Sequence, residues 1–278
     1  MGVELVVLDF DGTLTEVDKE AVPFVDGYKT DLSKRLKIDR NKLEHQWREK
    51  KSMIEANPSQ YGWVMNERIV APAYADQLVM SRTIAGLLLQ ENGQFRDESA
   101  RNEVLDALFK GNYGKLGVAF KDEADDFLTA LKGQVPTYIV TNSGTSGVAD
   151  KVRQLPSDHT EVQIRGDAKK YVLVPEWDDV PESTERDGFG RPLFLQRQKY
   201  GAVLSQIMEE RGFSPGQVAV VGDIYELDLL LPEHQGMNIV LTPRDSTPDF
   251  EVQAVASSQK GYVTRNLGEA LYHLESLR

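Results

Sequence analysis

Apolar residues in this chain fall into two patterns. Four uninterrupted runs, VELVVL (3–8), VPTYIV (135–140), VAVV (218–221) and NIVL (238–241), predict strands buried on both faces, since a strand with one wet face would alternate. Between them lie helical patterns. KDEADDFLTALKG (121–133) gathers Ala124, Phe127, Leu128 and Leu131 on one face and ends at Gly133. KYGAVLSQIMEERG (199–212) does the same with Tyr200, Val203, Leu204, Ile207 and Met208 before Gly212. NLGEALYHLESL sets Asn266 and Glu269 at capping-box spacing and predicts a final helix. Strand alternating with helix predicts an open α/β sheet.

Residues 16–118 break this rhythm. TDLSKRLKI, RNKLEHQWREKKSMIEA, AYADQLVMSRTIAGLLL and SARNEVLDALF are helical in pattern, with no convincing buried strand among them. A helical block of about a hundred residues is too long for a crossover between neighbouring strands. The expected organisation is therefore an α/β core of residues 1–15 and 119–278 with a mostly helical domain, 16–118, inserted after the first strand. Tyr61, Trp63, Tyr74 and Met80 in the insertion are read chiefly as its own core. The polar stretch DDVPESTERDGFGRP (178–192) is expected to be a long, mobile loop.

Composition narrows the chemistry. The 278 residues carry a formal net charge of −12, which disfavours nucleic acid and anionic membranes as partners. A small phosphorylated molecule needs only a local positive site and stays open. No cysteine is present, so thiolate metal sites and disulfides are excluded, and the four histidines show no ligand spacing. With neither a membrane-length apolar run nor a secretory leader pattern, a soluble cytoplasmic protein is expected.

The strand ends carry the candidate chemistry. The first runs into Asp9-Phe10-Asp11-Gly12-Thr13, and residues i and i+2 of a strand share a face. The second ends in Thr141-Asn142-Ser143-Gly144, and the third in Gly222-Asp223 with Asp228 shortly after. In parallel alignment, these ends meet at the edge where open α/β sheets bind ligands. Carboxylates crowded there repel unless a cation intervenes, and Mg²⁺ takes such oxygen ligands.

LDFDGTLT resembles the first motif of the haloacid dehalogenase-like (HAD) superfamily, YIVTN its second and VVGDIYELD its fourth, in the family's order. At ordinary residue usage, Asp-x-Asp-Gly-Thr alone arises in about one chain of this length in several hundred. The resemblance implies a Rossmann-like, three-layer open parallel sheet with an inserted helical cap. It implies Asp9 as nucleophile, giving an aspartyl-phosphate, and Asp11 as the acid and base. It assigns Mg²⁺ to Asp9, the backbone carbonyl of Asp11 and Asp223, with Asp228 as a ligand or as holder of a water on the metal. Thr141 and Asn142 would hold the phosphoryl group. The family's third element is a cation, usually a lysine opening the helix before the fourth motif and often followed by proline. Here no Lys-Pro occurs. Lys199 opens that helix, and Arg197, Lys169 and Lys170 are the alternatives.

The implied function is Mg²⁺-dependent hydrolysis of a small phosphate monoester, on a small phosphorylated metabolite. A sugar-phosphate mutase would use the same residues, and a non-catalytic binding or regulatory protein is the alternative from another class. Dehalogenation is disfavoured, because that branch needs neither the acid at Asp11 nor a metal. Substrate identity and oligomeric state are not encoded in any motif.

Overall fold

The computed structural model describes residues 2–93 and 95–278. Its strands are β1 (Leu5–Leu8), β2 (Gly62–Met65), β3 (Arg68–Pro72), β4 (Thr137–Val140), β5 (Gln163–Arg165), β6 (Ser183–Thr184), β7 (Leu193–Phe194), β8 (Val218–Gly222), β9 (Asn238–Leu241) and β10 (Gly261–Val263). Its α-helices are α1 (Val17–Leu36), α2 (Arg40–Glu55), α3 (Gln77–Asn92), α4 (Glu98–Tyr113), α5 (Ala124–Leu131), α6 (Thr145–Val152), α7 (Gln198–Arg211), α8 (Leu230–His234), α9 (Asp249–Ala256) and α10 (Leu267–Ser276). The chain forms two compact units, one from residues 1–16 and 120–278, the other from 17–119.

The first unit is built on a six-stranded parallel sheet in the order β10-β9-β8-β1-β4-β5. All four apolar runs became its inner strands. Two outer strands, β5 and β10, have no such run, because QIR and GYV are three-residue edge strands that stay half-buried. Side chains alternate across the sheet. Val7, Val218, Val220, Ile239 and Leu241 face one core with Tyr200, Leu204 and Ile207 of α7. Val6, Leu8, Ala219, Val221 and Val240 face the other, with Phe127 and Leu128 of α5 and Leu274 of α10. The result is three layers, helix on sheet on helix.

Helix ends follow their local chemistry. Gly212 takes the left-handed conformation (φ 71°) that stops α7. Asn266 caps α10 by accepting from the Glu269 N–H at 2.9 Å. The return arm departs from a capping box, since the Glu269 carboxylate accepts instead from the Arg265 N–H at 2.6 Å. The chain leaves and re-enters this unit side by side, with Thr15 bridged to Phe120 and the Lys121 N–H donating to Leu14 O at 3.0 Å.

Residues 178–192 correct one expectation. This stretch is fastened down rather than a free loop. β6 pairs with β7, Val180 and Phe189 are buried, and the Arg186 guanidinium donates to the Tyr225 hydroxyl at 2.9 Å. Its polar sequence hides this, because the few apolar residues in it are the ones turned inward.

The second unit packs α1, α3 and α4 together with α2 against α3. Phe24 of α1 lies 5.4 Å from Tyr28 and 5.8 Å from Phe109, between ring centroids. Tyr74 and Met80 are buried here and Tyr61 and Trp63 half-buried. A second correction is the antiparallel β2–β3 hairpin, unexpected in a block read as helical. Its two-residue turn, Asn66 and Glu67, has positive φ at both positions (49° and 63°), the geometry that matches strand twist. Among the described residues, no helix is long and apolar enough to cross a membrane.

Candidate active site

The sheet order reverses direction between β1 and β8, the place where open α/β sheets leave a crevice at their carboxyl ends. Register fixes what stands there. Leu8 pairs with Val221, and the Asp9 N–H carries the ladder one step further by donating to Val221 O at 2.8 Å. Asp9 and Asp223 therefore emerge at nearly the same level from neighbouring strands. Asp228 arrives on a π-helical turn, Tyr225–Leu229, and accepts from the Ile224 N–H at 3.1 Å. One oxygen from each of Asp9, Asp223 and Asp228 lies within 4.8 Å of the others, and all three residues are buried.

Asp11 stands apart from this cluster. Its Oδ2 accepts from the Ser143 hydroxyl at 2.6 Å and the Thr141 hydroxyl at 3.2 Å, and Lys151 Nζ lies 3.9 Å from its Oδ1. Thr141 thus reaches the site as the strand ends implied. Asn142, expected to hold substrate, accepts from the Lys170 N–H at 2.7 Å, so its carbonyl oxygen holds a loop in place. Ser143 and Lys151 were missed. Ser143 lies in the polar run that ends the second strand, whereas Lys151 comes from α6, where nothing distinguishes it from a surface lysine.

The cation paired with Asp9 is Lys170, not Lys199. Lys170 Nζ donates to Asp9 Oδ1 at 2.7 Å and Asp228 Oδ1 at 2.8 Å, and its side chain is 1% exposed. Lys199 is exposed at the start of α7, pointing away because Tyr200 beside it takes the inward position. Arg197 is fully buried but donates to backbone carbonyls of Phe194 and Lys170 and pairs with Glu226. Lys169 pairs with Asp167 at 3.2 Å on the surface.

Asp9 and Asp228 share one ammonium, with Asp223 beside them, and the crowding shifts the protonation of these groups. Burial opposes the charge on Lys170, but Asp228 and Asp9 together outweigh it and hold the ammonium well above its ordinary pKa. Burial, then repulsion from Asp228, lifts Asp9 well above the usual carboxylate range against the pull of Lys170. Burial likewise pushes Asp223 up to about 7, with Arg244 opposing and Asp228 adding to the rise.

Arg244 Nε stands 2.8 Å from Asp223 Oδ2, but without the alignment of a hydrogen bond. Both Asp223 oxygens are consequently buried with no donor. Orphaned carboxylate oxygens facing two further acids fit a hard divalent cation, and no sulfur or histidine stands in the cluster to favour a softer one. Asp9, Asp223 and Asp228 are the residues that would hold it.

Comparison with known proteins places the fold. A phosphoglycolate phosphatase, so described by prediction, from Haemophilus somnus 129PT superposes with a TM-score of 0.55 at 15% identity, covering 98% of this chain and 97% of that one. The magnesium-bound HAD hydrolase YfnB from Bacillus subtilis gives 0.53 at 14% identity, covering 99% and 100%. The haloacid dehalogenase-like family protein SP0104 from Streptococcus pneumoniae gives 0.51 at 15%, covering 98% of each chain. These identities establish the fold alone. No curated protein matches the chain in sequence. The model of the haloacid dehalogenase-like hydrolases, however, matches residues 3–231, from β1 through the π-helical turn that carries Asp228, and on that match the chain belongs to this hydrolase family.

Proposed function

We propose that this hydrolase is a magnesium-dependent phosphatase of small phosphate monoesters. The observation that carries the reading is Asp9, buried at a strand end, held by Lys170 and facing Asp223 and Asp228. Lys170 fixes Asp9 Oδ1, and Asp9 Oδ2, which accepts a longer 3.3 Å bond from the Thr13 hydroxyl, is the oxygen for attack. In the first step that oxygen forms a bond to phosphorus while the ester P–O bond breaks, giving an aspartyl-phosphate. Asp11, beside Thr141 and Ser143, delivers its proton to the departing alkoxide. In the second step Asp11 takes a proton from the water that attacks phosphorus, and Asp9 is released with inorganic phosphate. Mg²⁺ held by the three acids would supply the positive charge that lets a carboxylate approach a phosphate dianion. Lys170 supplies a further charge on the same side.

Arg244 and Lys121, whose ammonium feels both Asp223 and Arg244, add positive charge beside the acids despite the protein's net charge of −12. Local cations in an acidic protein suit a small anionic substrate better than a polyanion. Against dehalogenation stands the cluster of three buried acids fit for a divalent cation, which displacement of a halide by Asp9 does not require. The test is phosphate release from a panel of sugar phosphates, nucleotides and short acid phosphates, with Mg²⁺ and with EDTA. Release that needs Mg²⁺ and vanishes in Asp9→Asn is expected. An isomer accumulating in place of free phosphate identifies a mutase, and release that survives Asp9→Asn rejects the mechanism.

A further inference from the structure

Lys170 belongs to no helix or strand, an unusual support for a group that must sit within a few tenths of an ångström of its partners. The backbone leading to it is irregular, with Asp167 and Lys169 both at positive φ (54° and 52°). Something other than secondary structure must hold it. Its N–H is taken by Asn142 Oδ1 at 2.7 Å, and its ammonium lies 5.3 Å from the centroid of the Tyr200 ring. Its carbonyl is taken by Arg197 Nη1.

Arg197 is the largest side chain in the protein with no exposed surface. Its Nε donates to Phe194 O at 3.1 Å, and its Nη2 lies 3.5 Å from Glu226 Oε1. Glu226 is itself fully buried and gripped from the other side by Arg191, whose Nη1 donates to Oε1 at 2.9 Å and Nη2 to Oε2. Removing these charges from water costs several kcal/mol per ion, and an apolar side chain would fill the space without that cost. What an apolar residue cannot do is address three acceptors in fixed directions, which is the property of a guanidinium. Glu226 precedes Asp228 by two positions on the same π-helical turn. The Lys170–Asp228 ion pair in the site is therefore backed by Arg197, which holds the same loop through Lys170 O and the same turn through Glu226.

We propose that Arg197, anchored by Glu226, is a positioning residue that sets Lys170 against Asp9 and Asp228. The proposal rests on the phosphatase reading for its kinetic consequence, but not for its structural one. Arg197→Gln and Arg197→Lys are compared with the native protein by phosphate release with Mg²⁺. Labelling of Lys170 by an amine-reactive ester, read by mass spectrometry with exposed Lys199 as internal reference, is measured in parallel. In Arg197→Gln, kcat falls about 10- to 100-fold, the range for groups that orient reacting groups, while KM stays within about threefold. Lys170, unreactive in the native protein, becomes labelled. Arg197→Lys, which keeps the charge but reaches fewer acceptors, recovers part of the loss.

A folded Arg197→Gln protein with unchanged kcat or with Lys170 still unreactive overturns the proposal. Should Arg197→Gln not fold, Arg197→Lys decides, since full activity with Lys170 unlabelled also overturns it. If the native protein releases phosphate from no ester, the phosphatase reading has failed, and the labelling still decides whether Arg197 positions Lys170.

Discussion

Lys170 donates to Asp9 at 2.7 Å although 161 positions separate the two residues in the chain. Replacing Lys170 by alanine leaves Asp9 and Asp228 facing each other in a buried site with no counter-charge. Loss of a preorganised charge at a reacting centre typically costs about 10²–10³ in rate. The expected result for Lys170→Ala is a fall of that size in kcat for phosphate release, with circular dichroism near native. Lys199→Ala, altering an exposed side chain, stays within about twofold of native. The opposite ranking of the two variants would return the role to Lys199.

That contrast marks where the sequence stops being readable. Asp9, Thr141 and Asp223 could be located because each directly follows a buried strand, and parallel register brings strand ends together without reference to anything between. Lys170 has no such frame. It follows β5, whose QIR sequence carries no apolar run, and it is placed by Asn142 and Arg197 rather than by periodicity. The hold of the Asn142 side-chain oxygen on that loop is hidden for the same reason, since a side chain's partner across a loop is a tertiary fact. The β2–β3 hairpin was legible in principle. Asn66 opens a two-residue turn between runs containing Trp63, Val64, Ile69 and Val70, but helical segments on both sides masked it.

The metal-free protein should lose stability as pH rises toward 7. Burial pushes Asp223 up to about 7 in the folded state, against about 3.9 for an aspartate in the unfolded chain. Between those values the folded state holds a proton that the unfolded state has released, so the unfolding free energy declines with increasing pH. The raised Asp9 acts in the same direction. A divalent cation competes with that proton, so Mg²⁺ should stabilise more at pH 8 than at pH 5. Melting of EDTA-treated protein, with and without excess MgCl₂, measures both trends. An equal Mg²⁺-induced shift in Tm at the two pH values would contradict the assignment of Asp223 as a ligand.

Gly12 leaves no room for a side chain. A Cβ built there would lie 2.2 Å from Asp223 Oδ2, and the backbone is at φ 93°. Gly12→Ala therefore combines backbone strain of about 1–3 kcal/mol with displacement of the Asp223 carboxylate. Gly133, at φ 73° with nothing within 4 Å of its Cβ position, provides strain without collision. Both alanine variants should melt below native. Only Gly12→Ala should weaken Mg²⁺ binding by calorimetry, by about tenfold or more, as for groups that orient a metal ligand. Equal Mg²⁺ affinity in the two variants would show that Asp223 does not bind the ion.

Phe189 tests whether the segment over α7 and the π-helical turn is part of the core. It sits in a stretch polar enough to read as a mobile loop, yet its ring has no exposed surface. It lies 4.7 Å from Phe250 in an edge-on arrangement and 6.0 Å from Tyr225, between centroids. A ring on a mobile loop contributes almost nothing when removed, whereas a buried phenylalanine truncated to alanine costs about 3–5 kcal/mol. Urea unfolding of Phe189→Ala should therefore show a midpoint well below native, and Phe189→Leu a smaller loss because it keeps most of the volume. Arg186 and Arg191 in the same segment hold Tyr225, Glu233 and Glu226, so loosening it should also expose these arginines to trypsin. Because Glu226 precedes Asp228 on one turn, Phe189→Ala should weaken the grip on Asp228 as well as on the fold. Native-like urea resistance and trypsin resistance in Phe189→Ala would mean that the segment is held by its polar contacts alone.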